Sequence, residues 1–282
     1  MLERGAMKPA PFEYVVARSA GDVVAALADG RARVLAGGQS LVLEMNYRIA
    51  RPERLVDINR VPAFASLDVD GDAVRVGPLV RHRVFETDAV PGPLGVLLRR
   101  VVRNIAHPPI RARGTMLGSC AYAHPAAEWP AVAVTLGARF DLLSAAGIRT
   151  VAAADFFTGP FTTVRRPEEL LLAVHLPKMP PGTLVGFVEH RRTHASFAGL
   201  AAMVAVTVTG GRVRAAHVGL VNAADRPVRA GTAEEVLTDR PLDDATVADA
   251  AAAAADLDAD AYQRHAVGVL VRRALHQARD GG

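Results

Sequence analysis

The chain has 282 residues, half of them hydrophobic, and a formal net charge of +4, enough apolar material to bury a sizeable core in two or three compact units. Its cations are arginines apart from Lys8 and Lys178, interleaved with acids and without a basic, aromatic-studded stripe, which excludes nucleic acid as the expected partner. No apolar run reaches the roughly 18 residues of a membrane span, and Met1-Leu2-Glu3-Arg4 lacks a signal-peptide core, so no membrane association and a cytoplasmic location are expected.

In chain order, Ser19-Ala20-Gly21-Asp22 before Val23, Val24, Ala26 and Leu27 predicts a capped amphipathic helix. Arg33-Val34-Leu35 follows as a strand, giving a βαβ-like start. It runs into the first of two glycine segments, Ala36-Gly37-Gly38-Gln39-Ser40-Leu41. Leu55–Ile58 reads as a second strand, and residues 67–76 as a hairpin across Asp70-Gly71. Leu94–Ile105 has helical periodicity and is expected to stop against Pro108-Pro109. The second glycine segment, Arg113-Gly114-Thr115-Met116-Leu117-Gly118-Ser119, follows that break. Both segments read as an apolar strand turning sharply through exposed backbone N–H groups. Glycine lets the backbone approach a ligand, and the Ser40, Thr115 and Ser119 hydroxyls can add donors. Neither has Walker or GxGxxG spacing. Singly each could be an ordinary turn; together they suggest a diphosphate site.

Further on, Ala138–Leu143 and Gly147–Val151 predict another hairpin, and Leu170–Leu176 a strand ending at Pro177. The Pro-Gly cluster at 177–182 marks a domain boundary. Phe197–Val208 and Val213–Val221 are expected to be long strands joined through Thr209-Gly210-Gly211, wanting helices on one face; Ala245–Ala255 and Ala259–Ala278 supply them. The sum is an α+β chain.

Cys120 is the single cysteine, so an internal disulfide, a cysteine-ligated cluster or a Cys-x-x-Cys site is excluded within the chain. It reads as a small core residue, with a nucleophile role beside His124 as the weaker alternative. The histidines lack metal-ligand spacing; His190 and His194 fall where a strand runs into a loop.

Several motifs together resemble one family: Pro11-Phe12-x-Tyr14, Val34-Leu35-Ala36-Gly37-Gly38-Gln39-Ser40-Leu41, Leu55-Val56-Asp57-Ile58-Asn59, Arg111-x-Arg113-Gly114-Thr115, Asp155-Phe156-Phe157-x-Gly159-Pro160, and Tyr262-x-Arg264-His265 through Val271–Leu275. In this order and over nearly the whole chain they resemble the FAD-binding medium subunit of the molybdenum hydroxylases, the xanthine dehydrogenase and carbon monoxide dehydrogenase family. The resemblance implies an FAD-binding domain of two α+β subdomains (1–61 and 62–177) and a C-terminal antiparallel sheet domain packed with helices (178–282). It implies FAD as cofactor, with Ala36–Leu41 (Ala36, Gly37, Gly38, Gln39, Ser40, Leu41) and Gly114, Thr115, Gly118 and Ser119 wrapping its pyrophosphate. Glu128 matches a position usually Asp that holds FAD polar groups, Leu170 and Leu171 would line the adenine or flavin side, and Phe197 would face the isoalloxazine ring. Ile105, Tyr122 and His124 fall in the same implied pocket. Read on their own, Leu170, Leu171 and Phe197 are core-strand residues and Glu128 a solvated helix-start acid.

The family pattern is broken at Leu117, which stands where the first Gly of Gly-Gly is usual and could crowd the phosphate or strain at positive φ. His124 replaces a usual acid, and Ala195-Ser196 replaces Gly-Asp. Beside a diphosphate, protonation of His124 would be favoured, giving a pH-sensitive contact. The implied function is electron transfer: FAD passes electrons from an iron–sulfur small subunit, fed by a molybdenum-cofactor large subunit, to an acceptor. Two alternatives stay open: a free-standing FAD-dependent oxidoreductase acting on a small organic molecule, and a degenerate member serving as a non-redox binding or scaffold protein, for which Leu117 is the main support.

Overall fold

A computed structural model describes residues 8–281, so the reading of Met1–Arg4 lies outside the described residues. The chain begins with β1 (Glu13–Val16), α1 (Ala20–Leu27), β2 (Ala32–Leu35), α2 (Leu41–Asn46) and β3 (Arg54–Asp57). The strands form a parallel sheet in the order β1-β3-β2. Helix α1 starts where the sequence places its cap. Ser19 Oγ accepts the Asp22 N–H at 3.1 Å, and the Asp22 carboxylate accepts the Ser19 N–H at 3.1 Å, so two otherwise orphaned donors are satisfied reciprocally. Its inner face puts Val23 and Leu27 into a small core with Ala17, Val56, Ile58 and Phe64.

The second unit comprises β4 (Leu67–Asp68), β5 (Ala73–Val76), α3 (Gly92–Val102), α4 (Pro108–Arg111), α5 (Met116–Tyr122), α6 (Glu128–Thr135), β6 (Arg139–Ser144), β7 (Gly147–Ala152), α7 (Ala153–Phe156), β8 (Phe157–Gly159), β9 (Thr162–Thr163) and β10 (Leu170–Pro177). Both expected hairpins form, within an antiparallel sheet of order β4-β5-β10-β6-β7. Two expectations fail here. Pro108-Pro109 does not stop the preceding helix, which already ends at Val102; the pair opens the one-turn α4, since a proline in the first turn gives up an N–H that has no intrahelical partner there. The second glycine segment is not a strand and turn either. Thr115 is an N-cap, its Oγ1 accepting the Gly118 N–H at 3.0 Å, and residues 116–122 are helical.

The C-terminal unit is β11 (Thr183–His190), β12 (Leu200–Thr209), β13 (Arg212–Val221), β14 (Val228–Arg229), α8 (Gly231–Leu237), α9 (Asp244–Ala254) and α10 (Ala261–Asp280). Its antiparallel sheet runs β11-β12-β13-β14. Helices were expected on one face, but both faces are covered. Along β12, Leu200, Ala202, Val204 and Val206 pack toward α8–α10, while Ala201, Met203 and Ala205 join the core built by α3 and α6. Two-sided burial explains why this strand reads as a continuous apolar run. Phe197 is a further correction. The strand starts only at Leu200, and Phe197 sits in the preceding loop, 58% exposed, so it is no core-strand residue.

Candidate functional site

The first glycine segment leaves the carboxyl end of β2, the end at which parallel sheets offer ligands an opening. Gly38 sits at φ +73, which spares a side chain the strain of the left-handed region. Asn59, just past β3, braces the segment. Its Nδ2 donates to Ala36 O at 2.9 Å and to Asp57 Oδ1 at 2.6 Å. The Arg81 guanidinium then donates to Asn59 Oδ1 and to Arg113 O, tying the brace to the second segment. The His82 N–H donates to Gly114 O at 3.0 Å. The two glycine segments are thereby brought edge to edge. A Cβ on Gly37 would stand 2.4 Å from Arg113 O and 2.8 Å from Gly114 Cα, and one on Gly114 would stand 2.6 Å from His82 Nε2. Only a backbone bare of side chains fits this approach.

Beside the joined segments lies a cavity of about 700 Å³, within the size range of cofactor pockets. Every residue that the family resemblance assigns to the cofactor lines it: Ala36–Leu41, Ile105, Gly114, Thr115, Gly118, Ser119, Tyr122, His124, Glu128, Leu170, Leu171 and Phe197. Sequence reasoning missed Glu44, His82, Phe161, Arg165 and Glu169, which line it too. Phe161 had a local signal, the Gly159-Pro160 turn before it. The others did not, because they reach the pocket through tertiary packing.

One end of the cavity is aromatic. His124 and Phe197 stack face to face, centroids 3.9 Å apart and planes 1° apart. Phe161 meets His124 edge-on at 5.1 Å and Tyr122 at 5.2 Å. Burial pushes the His124 imidazole below its ordinary 6.5, and its Nδ1 accepts the Ala126 N–H at 3.0 Å. In the protein's own surroundings the neutral His124 imidazole is favoured, because aromatic rings desolvate it; the protonation expected beside a diphosphate concerns the FAD-bound form. Leu117 is corrected. It is the second residue of α5, with no positive φ, and is buried in the core at 2% exposure, so the strain feared at that position does not arise.

Titratable groups behind the wall are unusually enclosed. Glu128 opens α6 but is 5% exposed, not solvated, and burial together with the charge of Glu189 pushes it up to about 8. His82 is held down to about 3 by burial and by Arg111 and Arg81. Its Nδ1 accepts the indole N–H of Trp129 at 2.9 Å. Glu169 is gripped by Arg149 at 2.6 and 2.8 Å and by the Arg166 N–H at 2.7 Å, so despite its burial its carboxyl stays below the ordinary value. Cys120 is buried, with its thiol pushed up, which suits a packing role and not a nucleophile. His190 lies 3.4 Å from the Tyr262 hydroxyl and His194 packs against His107. Among the described residues no group of three or more His, Cys, Asp or Glu is placed to hold a metal ion.

The arrangement offers backbone donors without intervening side chains, apolar walls from Ile105, Leu170 and Leu171, and an aromatic end. Such a set can take an anionic linker flanked by flat rings. The FAD binding domain in molybdopterin dehydrogenase matches residues 10–179, and the CO dehydrogenase flavoprotein C-terminal domain matches residues 186–278. The chain is 35% identical to the 6-hydroxypseudooxynicotine dehydrogenase complex subunit alpha of Paenarthrobacter nicotinovorans, over 97% of each chain. It is 34% identical to the carbon monoxide dehydrogenase medium chain of Afipia carboxidovorans, over 97% of this chain and 98% of that one. Among solved structures, reconstituted CO dehydrogenase from Oligotropha carboxidovorans superposes with a TM-score of 0.92 at 33% identity, covering 98% of this chain and all of that one. Quinoline 2-oxidoreductase from Pseudomonas putida 86 gives 0.89 at 31% identity, covering 98% and 99%.

Proposed function

The chain belongs to the family of FAD-binding medium subunits of molybdenum hydroxylase-type dehydrogenases, and on that footing we propose that its paired glycine segments hold the diphosphate of FAD. One observation carries the assignment: Gly37 and Gly114 meet with no room for a Cβ, at the wall of a cavity of about 700 Å³. Backbone N–H groups of residues 37–41, with the N-terminal turn of α5 and the Thr115 and Ser119 side chains, would face the phosphates. Leu170 and Leu171 pack one ring, and the end bounded by Tyr122, His124 and Phe197 takes the other. Bound FAD supplies the redox chemistry, accepting electrons and passing them to an acceptor. The chain's own residues bind and orient it, and no side-chain acid, base or nucleophile is needed.

The relatives are subunits of multi-subunit dehydrogenases, and this chain is an oxidoreductase subunit of that kind. With one buried cysteine it has no ligand set for an iron–sulfur cluster. We therefore assign the clusters to a small partner chain and the molybdenum cofactor to a large one. No helix of the described residues is long and apolar enough to cross a membrane, and the proposed setting is the cytoplasm.

The test is purification of the tagged chain with and without co-expression of such partners. The expected product is yellow, releases FAD on denaturation, turns over no substrate alone, and co-purifies with molybdenum- and iron-containing chains. A colourless protein that takes up no added FAD overturns the cofactor assignment. Flavin reduction by a small organic substrate without any partner overturns the subunit assignment.

A further inference from the structure

One corner of the cavity holds a cation that the protein leaves without a counter-ion. Arg165 lies half-buried in the loop between β9 and β10 and lines the cavity. Its Nη1 donates to Arg166 O at 2.9 Å and to Glu169 O at 2.8 Å, so two backbone carbonyls fix one arm of the guanidinium. Its Nη2 and Nε donate to none of the described residues, and no described carboxylate stands within ion-pair distance. The acid beside it is spent elsewhere. Glu169 gives its carboxylate to Arg149 at 2.6 and 2.8 Å and to the Arg166 N–H at 2.7 Å, and Arg149 is held in turn by donating to Val164 O at 2.8 Å. Burial first, and then the charge of Arg33, push the Arg165 guanidinium below its ordinary value. A partly desolvated cation, anchored on one arm with its other donors open, is a group arranged for a partner outside the chain.

We propose that Arg165 reads the adenine ring of the dinucleotide and is a specificity-determining residue for the adenylate half of the cofactor. The unpaired, anchored guanidinium stands on the geometry alone; the choice of adenine rests on the FAD assignment. The wall beside Arg165 is apolar. Leu170 follows Glu169 directly and shares a small core with Leu27, Ala32 and Ile58, and all four line the cavity. An apolar slot with one fixed guanidinium takes a flat heteroaromatic ring, whose faces pack on aliphatic carbon while its ring nitrogens accept from the open N–H groups or its face meets the planar cation. A hydrocarbon ring would leave those donors unmet. The Tyr and Phe side chains of the lining, Tyr122, Phe161 and Phe197, belong to the other end, which takes the isoalloxazine. The backbone donors for the diphosphate lie at the glycine segments between the two ends, so the group left for Arg165 is the purine.

Calorimetric titration of the full-length chain, freed of flavin, with FAD, ADP and FMN tests the assignment in the wild type, Arg165→Met and Arg165→Lys. Arg165→Met keeps an unbranched stem and removes the charge and the donors. It should weaken FAD and ADP by at least about tenfold, while FMN, which lacks the adenylate half, changes by less than about twofold. An equal loss for FMN would mark a merely structural role, and unchanged FAD and ADP binding would mark none; either result overturns the proposal. Arg165→Lys keeps the charge without the planar fork and should follow Arg165→Met. Binding by Arg165→Lys at the level of the wild type would mean that charge alone acts, as on a phosphate, and overturns the ring assignment. Should Arg165→Met fail to fold, Arg165→Lys decides with the same three ligands. A wild type that takes up ADP but no FAD overturns the FAD assignment while the ADP titrations still decide Arg165; one that takes up neither overturns both.

Discussion

The indole N–H of Trp129 donates to Nδ1 of His82 at 2.9 Å, inside the core, which leaves the ring proton on Nε2, beneath Gly114. A doubly protonated His82 would have no acceptor left for the indole. The imidazole is accordingly pushed down to about 3, by burial first and then by Arg111 and Arg81. The folded state therefore binds fewer protons than the unfolded state between the ordinary 6.5 and about 3, and stability is lost as the pH falls through that window. In His82→Phe this slope should flatten in urea titrations taken stepwise across it. The variant should also cost about 1–3 kcal/mol at neutral pH, because the indole donor is left unpaired.

Glu189 has the opposite sign. Burial raises its carboxyl to about 7, and Arg191 offsets only part of that. Its folded pKa exceeds the ordinary 4.5, so stability is fully present below that value and is lost as the pH rises toward 7. Glu189→Gln should be more stable than the wild type near pH 8, by on the order of 1–3 kcal/mol, with the gain vanishing near pH 4. An equal ΔΔG at both pH values would mean that the acid is ionised at no cost, contrary to its enclosure.

Much of this fold is legible because its signals are local. Ser19 and Asp22 cap α1 through bonds three residues apart, and the turn at Asp70-Gly71 fixes a hairpin whose strands alternate. The misreadings have physical causes too. Thr115 caps a helix whose first residues are buried, so Met116-Leu117 looks like strand. The run from Phe197 is apolar throughout, yet it pairs only from Leu200 because the Gly199 N–H is taken by His190 O. At the site, the glycines announce a close approach, and family motifs locate the walls. His82 under Gly114 and Arg81 across both segments join residues distant in the chain, which no local pattern encodes.

Gly37 tests the cradle directly. The atoms that an added methyl would strike, Arg113 O and Gly114 Cα, are backbone and cannot swing aside. Gly37→Ala should separate the two segments, costing about 1–3 kcal/mol in stability and at least about tenfold in FAD affinity. Gly231→Ala is the control. Its Cβ would meet nothing within 4 Å and its φ is not positive, so stability should stay within about 0.5 kcal/mol with FAD binding unchanged. Flavin fluorescence quenching and urea denaturation read the two quantities.

Asn59 separates brace from fold. In Asn59→Asp the Arg81 guanidinium keeps an acceptor, but the donations to Ala36 O and Asp57 Oδ1 become contacts between acceptors. The first glycine segment should loosen while β3 and the sheet persist. We expect FAD affinity to fall about tenfold or more with the far-ultraviolet circular dichroism of the wild type retained. A variant that binds FAD normally would show that Arg81 alone sets the geometry.

The stack of Phe197 on His124 makes the last distinction, between a histidine serving the phosphates and one serving the aromatic end. Burial lowers the imidazole. Its Nδ1, already accepting from Ala126, would also have to surrender that bond on protonation. Removing the exposed face of the stack in Phe197→Ala should let water reach the ring and raise its titration midpoint toward 6.5, followed by NMR of the imidazole protons. Phe197→Leu, which keeps cover without the aromatic face, should fall between the two. In the FAD-loaded wild type the midpoint should remain below 6.5, because Tyr122, Phe161 and Phe197 hold His124 among rings. A midpoint above that value would put the imidazole beside the diphosphate, where negative charge outweighs desolvation.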